Sequence, residues 1–135
     1  MALGGKVERV GGGYNVGVEE TVFSTHKPWM DADRTTLPMY VFHEDQVTRL
    51  PDGCELLGGS NKCAIASFSK GNHIFTTQSH PEIDERFMRA ILEYTAAKMP
   101  ETDFEEAFTS LSRNTDGVTF AQWATDLILA ARHDR

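Results

Sequence analysis

Gln78-Ser79-His80-Pro81-Glu82 is the stretch on which both the fold and its chemistry turn. It lies where a run with strand character, His73 to Gln78, gives way to a run with helical spacing. Junctions of that kind hold polar side chains at the carboxyl edge of a sheet, where α/β enzymes place their sites. His80 and Glu82 are separated by a single proline. At a strand-to-helix turn that spacing can return the carboxylate to the imidazole. The carboxylate would then fix the ring tautomer and leave the other nitrogen to act as a base. From spacing alone a plainer alternative is the more economical one. It is a helix start with an incidental histidine and a first-turn glutamate that suits the helix dipole.

Downstream, Pro81 is predicted to open a helix, because a proline in the first turn loses no hydrogen bond. Phe87, Ile91, Tyr94 and Ala97 recur at near-helical intervals and are the predicted apolar face of that helix, which runs to Lys98. Pro100 ends it. Glu101 to Leu111 and Val118 to Ala131 read as two further amphipathic helices, joined by the turn Asn114-Thr115-Asp116-Gly117. Upstream, Lys70-Gly71-Asn72 and Leu50-Pro51-Asp52-Gly53 have the chemistry of turns. Cys54 to Leu57 and Ala64 to Phe68 are predicted strands about the turn Gly58-Gly59-Ser60-Asn61. Met39 to Phe42 is a short apolar strand ending at His43, and Ser24 to Pro38 a loop or irregular helix. Tyr14 to Phe23 alternates Val16, Val18 and Val22 and reads as a strand. Lys6 to Val10 is a possible short strand before the flexible joint Gly11-Gly12-Gly13. Ala2-Leu3-Gly4-Gly5 reads as a helix end with its glycine stop. Strands come first along the chain, then helices.

Composition sets outer bounds. The 135 residues suffice for one domain, and 40% hydrophobic content allows a packed core. Thirteen Lys and Arg against 20 Asp and Glu give a net charge of -7, which disfavours nucleic acid and anionic membranes as partners. No apolar run approaches the ~18 residues of a membrane span, and no signal-peptide core is present at the N-terminus. A cytoplasmic, reducing location is therefore the expectation. Cys54 and Cys63 form no disulfide or metal pattern, and His26, His43, His73, His80 and His133 lack zinc spacing. The turn Asn114 to Val118 is a poor calcium loop, because Trp123 stands where a bidentate glutamate is needed. No metal and no cofactor are implied.

The motif Gln78-Ser79-His80-Pro81-Glu82 resembles the Q-x-H-P-E signature of class I glutamine amidotransferases. His43-Glu44-Asp45-Gln46-Val47-Thr48-Arg49-Leu50-Pro51 resembles that family's H-x-D-x-V-x-x-L-P segment. Ala2-Leu3-Gly4-Gly5-Lys6-Val7 resembles the A-L-G-G-x-V that follows its nucleophile helix. The blocks occur in the family's order and together cover residues 2 to 98. The resemblance implies an α/β, flavodoxin-like fold: a partial amidotransferase domain over 1–99 with a helical C-terminal extension over 100–135. It implies hydrolysis of glutamine or a γ-glutamyl amide through a thioester on a cysteine. His80 would match the general base and acid, and Glu82 the residue that orients it. Phe42, His43, Glu44 and Asp45 would border the substrate pocket; the same residues could equally be a capped turn after a strand.

The family's nucleophile cysteine belongs N-terminal to Ala2-Leu3-Gly4-Gly5. Cys54 follows a turn and Cys63 opens a strand, so neither is flanked like a nucleophile elbow. Without a thiol and oxyanion donors the chain is expected to be inactive alone. It could be a truncated product, one piece of a split enzyme, or a noncatalytic pseudoenzyme that only binds. The first fits best, because a start inside a helix-end motif is structurally awkward. No synthetase segment follows, so a stand-alone amidotransferase-like or γ-glutamyl hydrolase protein is expected. A parallel sheet short of half its strands would expose an apolar edge, which predicts marginal stability or self-association through that edge.

Overall fold

The computed structural model describes residues 2–11 and 13–133; Gly12 of the expected glycine joint lies outside them. The strands are β1 (Lys6–Arg9), β2 (Asn15–Phe23), β3 (Thr36–His43), β4 (Asp45–Arg49), β5 (Glu55–Gly59), β6 (Ser67–Lys70), β7 (Ile74–Phe75) and β8 (Ser79–His80). The helices are α1 (Glu85–Thr95), α2 (Glu101–Ser110) and α3 (Gly117–His133), with a 3-10 turn at Ala96–Lys98. One sheet has the order β7-β6-β5-β2-β3-β8, and β1 pairs with β4 in a separate ribbon.

Every strand pairing among the described residues is antiparallel, which corrects the expectation of a parallel sheet edge. The cause lies in the connections. Turns such as Leu50 to Gly53 and Lys70 to Asn72 are too short for the crossover that parallel neighbours require.

Strand β3 shows how the sheet divides the core. Leu37 and Met39 project to one face and Tyr40 to the other, as the two-residue period of a strand demands. On the first face they join Phe23 and Leu57 beneath Phe120, Trp123 and Leu127 of α3. Phe23 meets Trp123 edge-on at 5.1 Å. On the second face Val16, Val18 and Tyr40 pack under Met88 and Leu92 of α1 and Ala107 and Leu111 of α2. The chain after residue 100 thus shares both cores with the strands.

Helix α1 departs from the expectation twice. Pro81 does not open it; Pro81 and Glu82 form a turn, and the helix begins after Asp84, whose carboxylate accepts from the Phe87 N–H at 2.7 Å. The buried face is Met88, Leu92 and Thr95, whereas Phe87 is 58% and Tyr94 79% exposed. The apolar stripe is therefore rotated by one residue from the one predicted. Asp84→Ala is expected to destabilise the chain by about 1 kcal/mol, the worth of a lost N-cap. Pro81→Ala would carry that loss instead if the helix began at the proline, and urea unfolding of the two variants separates the cases.

The ribbon of β1 and β4 joins two of the three motif blocks. Its register is Val7↔Val47, Glu8↔Gln46 and Arg9↔Asp45. Gly5 makes the approach possible: its φ is +80 degrees, and a Cβ on it would stand 2.6 Å from the Arg49 carbonyl oxygen. Only glycine satisfies both demands at once.

Candidate active site

His80 is the last residue of β8, whose single neighbour is β3, with Tyr40↔His80 and Val41↔Ser79 in register. The backbone then turns at Pro81-Glu82, and the Ile83 N–H closes the turn on the His80 carbonyl at 3.3 Å. That turn carries Glu82 back over the ring. His80 Nδ1 lies 2.8 Å from Glu82 Oε1. A carboxylate can only accept, so Nδ1 carries the hydrogen of this contact, and it is Nε2 that carries the lone pair in the neutral ring. Burial raises the Glu82 carboxyl, but the bond from His80 and the nearby imidazole charge outweigh it and hold the group below the ordinary carboxylate range. Glu82 is thus an anion at neutral pH, suited to steady a protonated ring.

Gln78 does work that its spacing did not announce. Its side-chain oxygen accepts from the Val47 N–H at 2.9 Å, and its amide nitrogen donates to the Asp45 carbonyl at 3.3 Å. The first residue of one motif therefore grips the backbone of another. The signal in the sequence was the glutamine itself, a side chain able to donate and accept together.

The remaining expected residues surround the end of β3. Phe42 stacks on Tyr14 with ring centroids 5.3 Å apart. His43 Nε2 is 3.3 Å from the Asn15 amide nitrogen, so it accepts that donor. Glu44 turns outward to Arg9 at 2.9 Å. Asp45 is exposed and engages Gln78 through its backbone. Sequence reasoning overlooked Asn15 and Tyr40, which lie on strands whose apolar alternation drew attention away from them.

Burial pushes the His43 imidazole below its ordinary value, Glu19 opposes this, and the charge on His80 reinforces it. A histidine with a depressed folded pKa contributes stability that is present above about pH 6.5 and is lost as pH falls through the folded value. The thermal midpoint is accordingly expected to decline from about pH 7 to about pH 5, and less steeply in His43→Asn. Equal slopes in the two proteins would contradict the burial of this ring.

Cys63 is not poised as a nucleophile. The Cys63 thiol is buried and pushed up to about 11, so it is protonated at neutral pH. Cys63 instead closes a turn, its N–H donating to Ser60 Oγ at 3.0 Å. Cys54 sits in the turn after Pro51.

No family profile matches the chain. It is 29% identical to gamma-glutamyl peptidase 5 of Arabidopsis thaliana over 90% of its own length and 51% of that protein. It is 33% identical to the glutamine-hydrolyzing GMP synthase of Mannheimia succiniciproducens over 62% of its length and 17% of the synthase. Its fold matches a glutamine amidotransferase from Thermotoga maritima with a TM-score of 0.72 at 18% identity, covering 94% of this chain and 56% of that one. In sequence and in fold the chain is thus similar to class I glutamine amidotransferases. A second amidotransferase structure, from Methylobacillus flagellatus, agrees at a TM-score of 0.64 with 13% identity, over 93% of this chain and 57% of that one. Those matches make the fold α/β and flavodoxin-like, as the motif blocks implied. The chain spans about half the length of the peptidase and of both matched structures. Among its described residues no helix is long and apolar enough to cross a membrane.

Proposed function

We infer that this amidotransferase domain supplies the base half of a Cys-His-Glu triad acting on glutamine or a γ-glutamyl amide. The observation that carries the reading is the 2.8 Å contact of His80 Nδ1 with Glu82, which leaves Nε2 as the basic nitrogen. His80 takes the proton of an attacking thiol and returns it to the departing amine, while Glu82 holds the ring and balances its charge. Phe42, His43, Glu44 and Asp45 border the substrate side. The thiol comes from outside the two cysteines described above, so the 135-residue chain releases no ammonia alone. Residues 1–99 carry the site and 100–135 buttress it. A reducing cytoplasm suits the two free cysteines, and β8 at the sheet edge offers a strand for self-association.

The test joins the chain to the nucleophile-bearing segment of a related amidotransferase and follows ammonia release from glutamine and from γ-glutamyl p-nitroanilide. Release by the joined protein but not by the chain alone supports the reading. A joined protein that folds and binds glutamine without releasing ammonia supports the alternative, a noncatalytic binding module.

A further inference from the structure

Helix α1 carries an aromatic row that the core does not reach. Phe87 and Tyr94, with Ala90 between them, recur at helical spacing, and all three are exposed. The core takes Met88, Leu92 and Thr95 instead. Helix α2 leaves the row clear. Arg89, whose guanidinium lies 4.6 Å from the Phe108 ring of α2, projects nearly opposite to Phe87 and Tyr94 at about 100 degrees per residue. A single exposed apolar side chain needs no explanation, but a contiguous row does.

The charges beside the row say what covers it. Arg86 and Glu93 are exposed and share one flank of the helix, seven residues apart. About 10 Å of helix separates them, too far for a pair within one copy. Among the described residues neither has an ion-pair partner, whereas Glu85 and Arg89 hold each other at 2.7 Å. Both also oppose the helix dipole, Arg86 from the first turn and Glu93 from the last. Local preference is against each charge, and each suits an opposite charge brought from outside.

We propose that this face of α1 is a two-fold contact between copies of the chain, the helices antiparallel and crossing at Ala90. The axis sets Arg86 beside Glu93 of the other copy and Glu93 beside its Arg86, as an isologous contact requires. It lays Phe87 against Tyr94 of the other copy, twice over. The midpoints of 86 and 93 and of 87 and 94 fall on either side of Ala90, so one axis serves all four pairs. Ala90 brings only a methyl group to the crossing, which lets the helices approach closely. A parallel pair would set Arg86 on Arg86 and Glu93 on Glu93. The contact is independent of the triad and distinct from the β8 edge.

One helix pair lies at the small end of protein interfaces, so the dimer is expected to form at about 10 to 500 µM chain, measured by sedimentation equilibrium. Phe87→Ser and Tyr94→Ser are each expected to weaken it at least about tenfold, because symmetry removes two rings at once. Arg86→Glu alone and Glu93→Arg alone place like charges together and are each expected to weaken it about tenfold. The double variant Arg86→Glu/Glu93→Arg restores opposite charges across the axis and should return to within about threefold of the parent. All four side chains are exposed, so the variants keep the fold, which circular dichroism checks. A chain still monomeric at about 1 mM, or a double variant no better than the single ones, would overturn the two-fold pair. So would association indifferent to Phe87 and Tyr94, as pairing through the β8 edge would be.

Discussion

Gly117→Ala is expected to lower stability by about 2 kcal/mol and the thermal midpoint by roughly 6 °C. The expectation runs against local preference. Gly117 opens α3, and alanine in place of glycine within a helix ordinarily stabilises by up to about 1 kcal/mol. Packing reverses the sign. A Cβ at Gly117 would stand 2.6 Å from the Pro81 carbonyl oxygen and 2.9 Å from the Pro81 Cα. Both are backbone atoms, so no rotamer change relieves the overlap. Either α3 withdraws or the Pro81-Glu82 turn moves. Asp116 ties the approach down further: its N–H donates to the Pro38 carbonyl at 2.7 Å, and its carboxylate caps the Thr119 N–H at 3.2 Å. Nuclear magnetic resonance of the His80 ring should therefore shift in the variant. A gain in thermal midpoint, with the His80 signals unmoved, would show that the helix and the turn do not touch.

The larger effect concerns chemistry. In a joined protein that releases ammonia, His80→Ala is expected to reduce the rate by at least about 10³-fold, as loss of a general base does when the thiol has no other proton acceptor. Glu82→Gln should cost less, about 10 to 10²-fold, because the amide still orients the ring but no longer balances its charge. The order of the two variants is the informative result. If Glu82→Gln proved the more damaging, the carboxylate itself would be the base. If His80→Ala released ammonia at the parental rate, the triad assignment would fail.

Much of this architecture was legible because buried elements write their period into the chain. Strand β2 showed itself through Val16 and Val18, although Val22 on the same period is exposed, and α2 and α3 through their apolar spacing after Pro100 and after the turn at Asn114 to Gly117. Elements with little buried surface left no such mark. In β4 only Gln46 is buried, so Asp45 to Arg49 presents polar residues to both sides of a two-stranded ribbon. Strand β7 is shorter than the run His73 to Gln78 because Thr76 turns its hydroxyl to the Phe68 backbone, competing with regular pairing. The start of α1 was misplaced for a related reason. Pro81 fits a first helical turn, but the same residues are needed for the bend that sets Glu82 on His80, and Asp84 caps the helix instead. The rotated face of α1 has a separate cause. Phe87 and Tyr94 look like core residues, and nothing in a single helix says which of two adjacent stripes the sheet will cover. The motif residues themselves were readable as a signature, while Gln78 as a clamp and Gly117 as a contact point depend on partners 31 and 36 positions away in the chain.

Gln78 has a consequence for protein engineering. Because its side chain is occupied by the backbone of residues 45 to 47, the pentapeptide is not a portable cassette. Transplanted onto another scaffold without that receiving strand, it would bring an imidazole and a carboxylate with nothing to set their bearing. A successful graft must carry both pieces, and a search for remote kin should score the pair together rather than either string alone.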